Sequence, residues 1–385
     1  MLSELSELSD FILGAVTGLT GLIPFIHANT IIQLTNNVSF TSFDLFAVAL
    51  VFTRVSFEML ASTKFELSSE ANAIALESIH ELKKTSSEKT ILKTMLKHSL
   101  LAMLLSLLLY PLFSTYGKSI QTIVSPAIPV FLIGIFAWFI LSQKNKNNLV
   151  IISALAGLCG IVVLEKNLQN SLFILLTGLY TLPTLLASNS TPANEPAIQT
   201  QTNNAPTSKS IVITGSLIGM TSAFFPAMTP TMLAVTALCF LEKQQPLNFI
   251  TLNASIIGSR TVSDFAALEF LGKGRSGATA TMLEDSTYNF TTIYTYLIIG
   301  IILACLAAFT ALKIHKFIPT NIMNKWTKAV AAIAIFTYVF YTSSVIGVIA
   351  LVACSLVGLT CVVFKVGRST LGSAILFPSF KNYLN

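Results

Sequence analysis

Charge is scarce in this chain of 385 residues: Asp, Glu, Lys and Arg together make up 10%, against roughly 25% in soluble domains. Hydrophobic residues reach 53% and mean hydropathy is +0.74, which excludes an ordinary soluble core and makes lipid the solvent. Metal and disulfide frameworks lack their spacing. The cysteines Cys159, Cys239, Cys305, Cys354 and Cys361 all fall inside apolar runs with no Cys-x-x-Cys, and they read as small buried hydrophobes. No Walker sequence is present, so ATP hydrolysis is not expected, and His80-Glu81 lacks the second His of a zinc-protease helix. Gly274-Arg275-Ser276-Gly277 matches a serine-nucleophile pattern, but it sits among loop charges, and the one later histidine is His315. Enzymatic catalysis is therefore not expected. The net charge of +6 comes from Lys residues in short loops and not from a basic, aromatic-interleaved domain, so nucleic acid is not an expected partner. The first ten residues carry Glu4, Glu7 and Asp10 but no Lys or Arg, the reverse of a signal peptide, and the first hydrophobic run is expected to be retained.

What is present is a series of apolar runs long enough to cross a hydrocarbon layer about 30 Å thick as helices. They fall near residues 11–34, 43–63, 97–116, 123–142, 149–165, 170–187, 210–240, 246–270, 291–312, 326–343 and 345–364. Without period-2 alternation, backbone groups in lipid are satisfied by helices and not by a barrel. The fold class expected is all-α, a polytopic integral membrane protein with about nine to eleven membrane elements. Residues 188–209 carry three prolines and many Asn, Thr and Ser, the composition of a flexible polar linker. It divides an N-terminal membrane repeat (1–187) from a C-terminal one (210–385). The charged stretch 64–97 reads as a solvated connector, with an interfacial amphipathic helix as the alternative, and His80 and His98 as solvated.

The halves open alike. Residues 14–31, GAVTGLTGLIPFIHANTI, and 215–232, GSLIGMTSAFFPAMTPTM, each carry Gly-x-x-x-Gly, then Pro, then small polar residues. Further on, Arg54 precedes Glu58 by four residues, as Arg260 precedes Asp264. If every run spans, Lys and Arg outside the membrane divide 11 to 10; with both Gly-Pro runs as re-entrant hairpins they divide 17 to 4, and with only 246–270 re-entrant 16 to 5. The positive-inside bias rejects the all-spanning arrangement. Symmetry favours two hairpins separated by five spans, entering from opposite faces as inverted-topology repeats.

Broken backbone at membrane depth persists where it lines a polar cavity. Gly18 and Gly21 allow close backbone approach, and Pro24 and Pro226 interrupt helices and free carbonyls. Half-helix N-termini suit an anionic substrate. His27, Asn29, Thr30, Thr229 and Thr231 are the candidate binding side chains, although Gly-x-x-x-Gly also serves plain helix packing. Arg54 and Arg260 lie in apolar surroundings where an unpaired charge is costly, so Arg54–Glu58 and Arg260–Asp264 are expected intramembrane pairs, either structural or engaged with substrate.

Residues 17–30, TGLTGLIPFIHANT, resemble the opening signature of the large membrane subunit of tripartite tricarboxylate transporters, the TctA family, in its archaeal branch. Asn253-Ala-Ser255 with Gly272-Lys-Gly-Arg-Ser-Gly-Ala278, and Arg368-Ser-Thr-Leu-Gly372 through Pro378, resemble that family's later segments. Phe25 and Ala227 stand where it has glycine after the hairpin proline. The resemblance implies a multi-pass permease of the cell membrane moving a small organic anion, a di- or tricarboxylate, by alternating access. It adds Asn253 and Ser255 to the binding residues. It implies Na+ or H+ as coupling ion with no cofactor, and as partners a small membrane subunit, an extracytoplasmic binding protein and the bilayer, with a homodimer left open. The alternatives are a lipid or polyprenyl-phosphate translocase and a non-transporting membrane scaffold.

Overall fold

The computed structural model describes residues 2–23, 26, 28–35, 38–66, 72, 75–131, 133–134, 137, 146–166, 168, 171–187, 209–225, 230, 233–234, 237, 245–285, 287–319, 325–364, 366, 368–374 and 377–378. These residues form helices and connecting turns, with no strand among them. In chain order the α-helices are α1 (Leu2–Thr17), α2 (Ala28–Thr35), α3 (Phe43–Phe65), α4 (Ala75–Lys83), α5 (Glu88–Val124), α6 (Lys146–Glu165), α7 (Ser171–Leu176), α8 (Leu182–Ala187), α9 (Lys209–Thr221), α10 (Pro246–Phe270), α11 (Gly277–Asp285), α12 (Phe290–Ile314) and α13 (Lys325–Val363). Among the described residues, five helices are long and apolar enough to cross a membrane. The 25-residue α10 carries Arg260, Asp264 and Glu269, and protein surrounds it along nearly its whole length. The apolar window of α3 is 83% buried, against 28–39% for the other four candidate spans, so α3 is enclosed by protein while the others present much of their apolar surface outward.

The chain divides into two compact units, and the first draws on both sides of the 188–209 stretch: residues 1–126, 198–226 and 233–317. Within it, α3 and α12 run side by side in one direction. Asp44 takes hydrogen bonds from Tyr288 and Tyr296, Phe52 packs on Gly300, and the Ser56 hydroxyl reaches the Ala304 carbonyl. Likewise α5 runs with α10, joined by Ser99 against Gly258, Ser106 to Ser259 and Tyr110 to Glu269. The pairs oppose each other. Asn72, just past the end of α3, meets Asn253 near the start of α10, and Tyr110 joins the end of α10 to the Phe290 and Tyr294 rings at the start of α12. Thus α3 is antiparallel to α10.

Capping fixes the ends. Ser87 caps α5, Asn289 caps α12, and Pro246 opens α10 where its missing N–H costs nothing. The start of α3 is capped from afar, the Asp10 carboxylate accepting from the Thr41 and Ser42 N–H groups at 2.8 and 2.9 Å.

Two expectations are corrected here. The stretch 64–97 is no solvated connector: α4 lies within it and packs on α10, with Ala75, Ser78 and Ile79 buried. Its charges engage one another, Glu66 with His80 and Lys83, and Glu88 with Lys83 and Lys64. His80 is exposed, but His98 is buried with Nδ1 against the Thr94 carbonyl. The runs near 97–116 and 123–142 have no break between them either, because α5 continues through Val124 with Pro111 inside it. Gly117 is pressed against the Phe270 ring, which makes that polar-looking segment packed helix.

The second unit comprises 127–197, 227–232 and 318–385. In it α7 and α8 are joined by a π-turn at Thr177–Thr181, and α13 breaks at Ser344 (φ 56°, ψ −163°). Val339 lies near Gly347, a spacing that a straight helix would stretch to about 12 Å, so the chain doubles back there. Gly178 packs on Cys354 and Gly358 on Leu179. Of the described thiols, Cys354 and Cys361 are buried, Cys159 half-buried, and Cys305 exposed, unlike the buried position expected for it.

Candidate functional site

Both Gly-Pro segments take the same course. The helix α1 tightens into a 3-10 turn at Gly18–Leu22 and ends in extended backbone at Ile23 (φ −105°, ψ 98°); α9 tightens at Ser222–Phe224 and ends at Phe225 (φ −106°, ψ 110°). Each lies on the backbone of one long helix. A methyl on Gly18 would sit 2.7 Å from Thr53 Cβ, and one on Gly21 2.7 Å from the Arg54 carbonyl oxygen. On Gly215 it would sit 2.7 Å from Ser255 Cβ, and on Gly219 2.6 Å from the Ile256 carbonyl oxygen. Gly14 meets Phe46 and Ala49 as Gly215 meets Leu252 and Ser255, and Gly18 meets Thr53 and Arg54 as Gly219 meets Ser259 and Arg260. Only glycine lets helix axes come this close.

These contacts also set direction. From Gly14 to Gly21 the partner advances from Phe46 to Glu58, so the first segment runs parallel to the α3 helix that follows it. The chain must therefore turn back between residues 22 and 43. The second segment runs parallel to α10 in the same way.

An arginine stands at each turn, Arg54 buried and Arg260 partly exposed. Arg54, 3% exposed, donates from Nε to Glu58 Oε1 at 2.6 Å, from Nη1 to Thr20 Oγ1 at 2.9 Å, and from Nη2 to the Ile26 carbonyl. Helix, turn and the chain beyond it are thus held by one guanidinium, which offsets the cost of burying the charge. The second site is looser. Arg260 Nε lies 3.8 Å from Asp264 Oδ1, beyond hydrogen-bond reach, and both Arg260 Nη1 and Asp264 Oδ1 are buried without a hydrogen-bond partner. The turn carbonyl of Ala223 is held instead by Arg275 Nε at 2.6 Å, while Ser259 and Ser263 donate to the Ser216 and Met220 carbonyls.

Of the residues singled out from sequence, the fold brings Gly18, Gly21, Arg54 and Glu58 into one cluster and Arg260 and Asp264 into another. Asn253 and Ser255 stand earlier on α10: the Asn253 amide meets Asn72, and the Ser255 hydroxyl bonds the Thr251 carbonyl beneath Gly215. Pro24, His27, Pro226, Thr229 and Thr231 lie outside the described residues, as do the side chains of Asn29 and Thr30, whose backbone forms part of α2. Thr20, Asp10 and Arg275 were not singled out. Arg275 belongs to the serine-protease-like tetrad, whose Ser276 hydroxyl is spent on Thr279 at the start of α11.

Membrane-length apolar helices and glycine-packed broken helices with charged pairs beside their turns together define a multi-pass membrane protein. The chain belongs to the tripartite tricarboxylate transporter TctA family, whose model matches residues 9–371. Members are membrane components of transporters that act with partner subunits. An uncharacterized protein of Methanocaldococcus jannaschii is 24% identical over 394 residues, covering 97% of this chain and 98% of its own. No solved structure matches significantly.

Proposed function

We propose that this chain is the permease of a secondary-active transporter for a di- or tricarboxylate, driven by an ion gradient through alternating access. The observation that carries it is the matched pair of turns. Each runs parallel to its long helix into a 3-10 turn, each ends near an arginine of that helix, and the antiparallel course of α3 and α10 makes the two approach from opposite ends. That is the arrangement expected of inverted re-entrant hairpins meeting at a mid-membrane site. Pro24, His27, Asn29, Thr30, Pro226, Thr229 and Thr231 then line the cargo path, around which the two related halves alternate access. A small membrane subunit and an extracytoplasmic binding protein complete the system.

The test is uptake of radiolabelled citrate and succinate into liposomes containing the chain, with and without its partner subunits, under imposed sodium or proton gradients. Gradient-dependent accumulation supports the reading, and Asn29→Ala or Thr231→Ala should reduce it at least tenfold in protein that remains folded. Unaltered uptake in both variants would remove the turns from the cargo path. Absence of uptake in every combination would overturn the transporter assignment.

A further inference from the structure

The two arginine sites are equivalent in position but not in bonding. Arg54 spends all of its described contacts inside the protein, and its carboxylate partner is at full hydrogen-bonding distance. Arg260 holds Asp264 only through charge, with a guanidinium nitrogen and a carboxylate oxygen both buried and unbonded. Leaving such groups unmet is costly, and a ligand that bonds the nitrogen recovers the loss. Charge selects its sign. Arg260 and Arg275 both bring positive charge to bear on Asp264, and the unmet atom on Arg260 is an N–H donor, so the ligand that meets it is an anionic acceptor.

We infer that Arg260 receives a carboxylate of the cargo in exchange for Asp264, and that the released Asp264 takes up a proton, which makes the protein a proton-coupled symporter. The inference rests on the transporter reading above. An incoming carboxylate bonds Arg260 Nη1 and takes the charge that had been neutralising Asp264. Left buried, Asp264 accepts one proton at Oδ1 from the water on the entry side. On release of the anion Arg260 pairs with Asp264 again, and the proton leaves to the other side. The described titratable groups on the neighbouring elements have partners of their own: Glu58 with Arg54, Glu269 with Tyr110, Glu66 with His80 and Lys83, Asp44 with Tyr288 and Tyr296, and His98 with the Thr94 carbonyl.

The decisive measurement is proton uptake on binding. Citrate or succinate is added to the purified full chain in weakly buffered detergent solution with a pH indicator, and binding is followed separately by equilibrium dialysis. Wild type should take up one proton for each anion bound, with or without sodium. Asp264→Asn should still bind but take up none, and Asp264→Glu should restore uptake. Arg260→Gln should weaken binding at least tenfold. Glu58→Gln should lower the melting temperature yet leave one proton per bound anion. Anion binding without proton uptake in wild type, or undiminished uptake in folded Asp264→Asn, overturns proton coupling at this site while the transporter reading stands. Failure of wild type to bind or transport either anion overturns both.

Discussion

A single methyl group decides whether helix backbones can touch at Gly18 and Gly219, because each faces main-chain or Cβ atoms that no rotamer change can move. Gly18→Ala and Gly219→Ala should each destabilise the protein by about 1–3 kcal/mol, the usual cost of overpacking, whereas Gly134→Ala, with open space around it, should not. Thermal unfolding in detergent distinguishes the three. At Ser344 the backbone occupies a region that favours glycine, and Ser344→Gly should raise stability by about 1 kcal/mol in the same assay. The four-residue spacing of Arg54 and Glu58 could be read from sequence, since it places both on one helical face. The grip of Arg275 on the Ala223 carbonyl could not, because it spans 52 positions and exists only once the helices are packed. Asp10 capping α3 is hidden for the same reason.

Element boundaries were legible wherever composition changes sharply. The runs expected at 43–63, 246–270 and 291–312 became Phe43–Phe65, Pro246–Phe270 and Phe290–Ile314, and the gap between 343 and 345 became the reversal at Ser344. The segment around α4 defeated the reading because its apolar face is narrow and its charges look solvated; what buries it is the surface of α10 and a network of opposite charges. That network makes its docking sensitive to acid. Burial of Glu66 favours its neutral form, but hydrogen bonds and charge from His80 and Lys83 outweigh it and hold the carboxyl below its ordinary value of 4.5. A depressed acid stabilises the fold above its unfolded value and loses that contribution as pH falls through the folded one. Amide exchange across residues 75–83 should therefore quicken as pH drops below about 4.5, after correction for intrinsic rates, and Glu66→Gln should flatten that change.

At the scale of the molecule, the opposed helix pairs of the first unit predict sidedness. The end of α3 and the end of α12 share one face with Lys64, Lys83, Lys84, Lys313 and Lys316, while the start of α3 and the end of α10 lie opposite. The positive-inside bias makes the lysine-rich face cytoplasmic. In a cysteine-free background, single cysteines at Thr85 and Lys316 should react with impermeant maleimide only from inside, and those at Thr41 and Lys273 only from outside; equal labelling of Thr85 and Lys273 from one side would break the arrangement. The parallel course of α1 and α3 bears further on biogenesis. The glycine face of the first segment has nothing to rest on until α3 has left the ribosome and entered the bilayer, and Asp10 has no N–H groups to hold before residues 41 and 42 arrive. The stretch synthesised first is thus among the later ones to settle, and the membrane-insertion machinery must tolerate an unanchored leading segment until its scaffold is made.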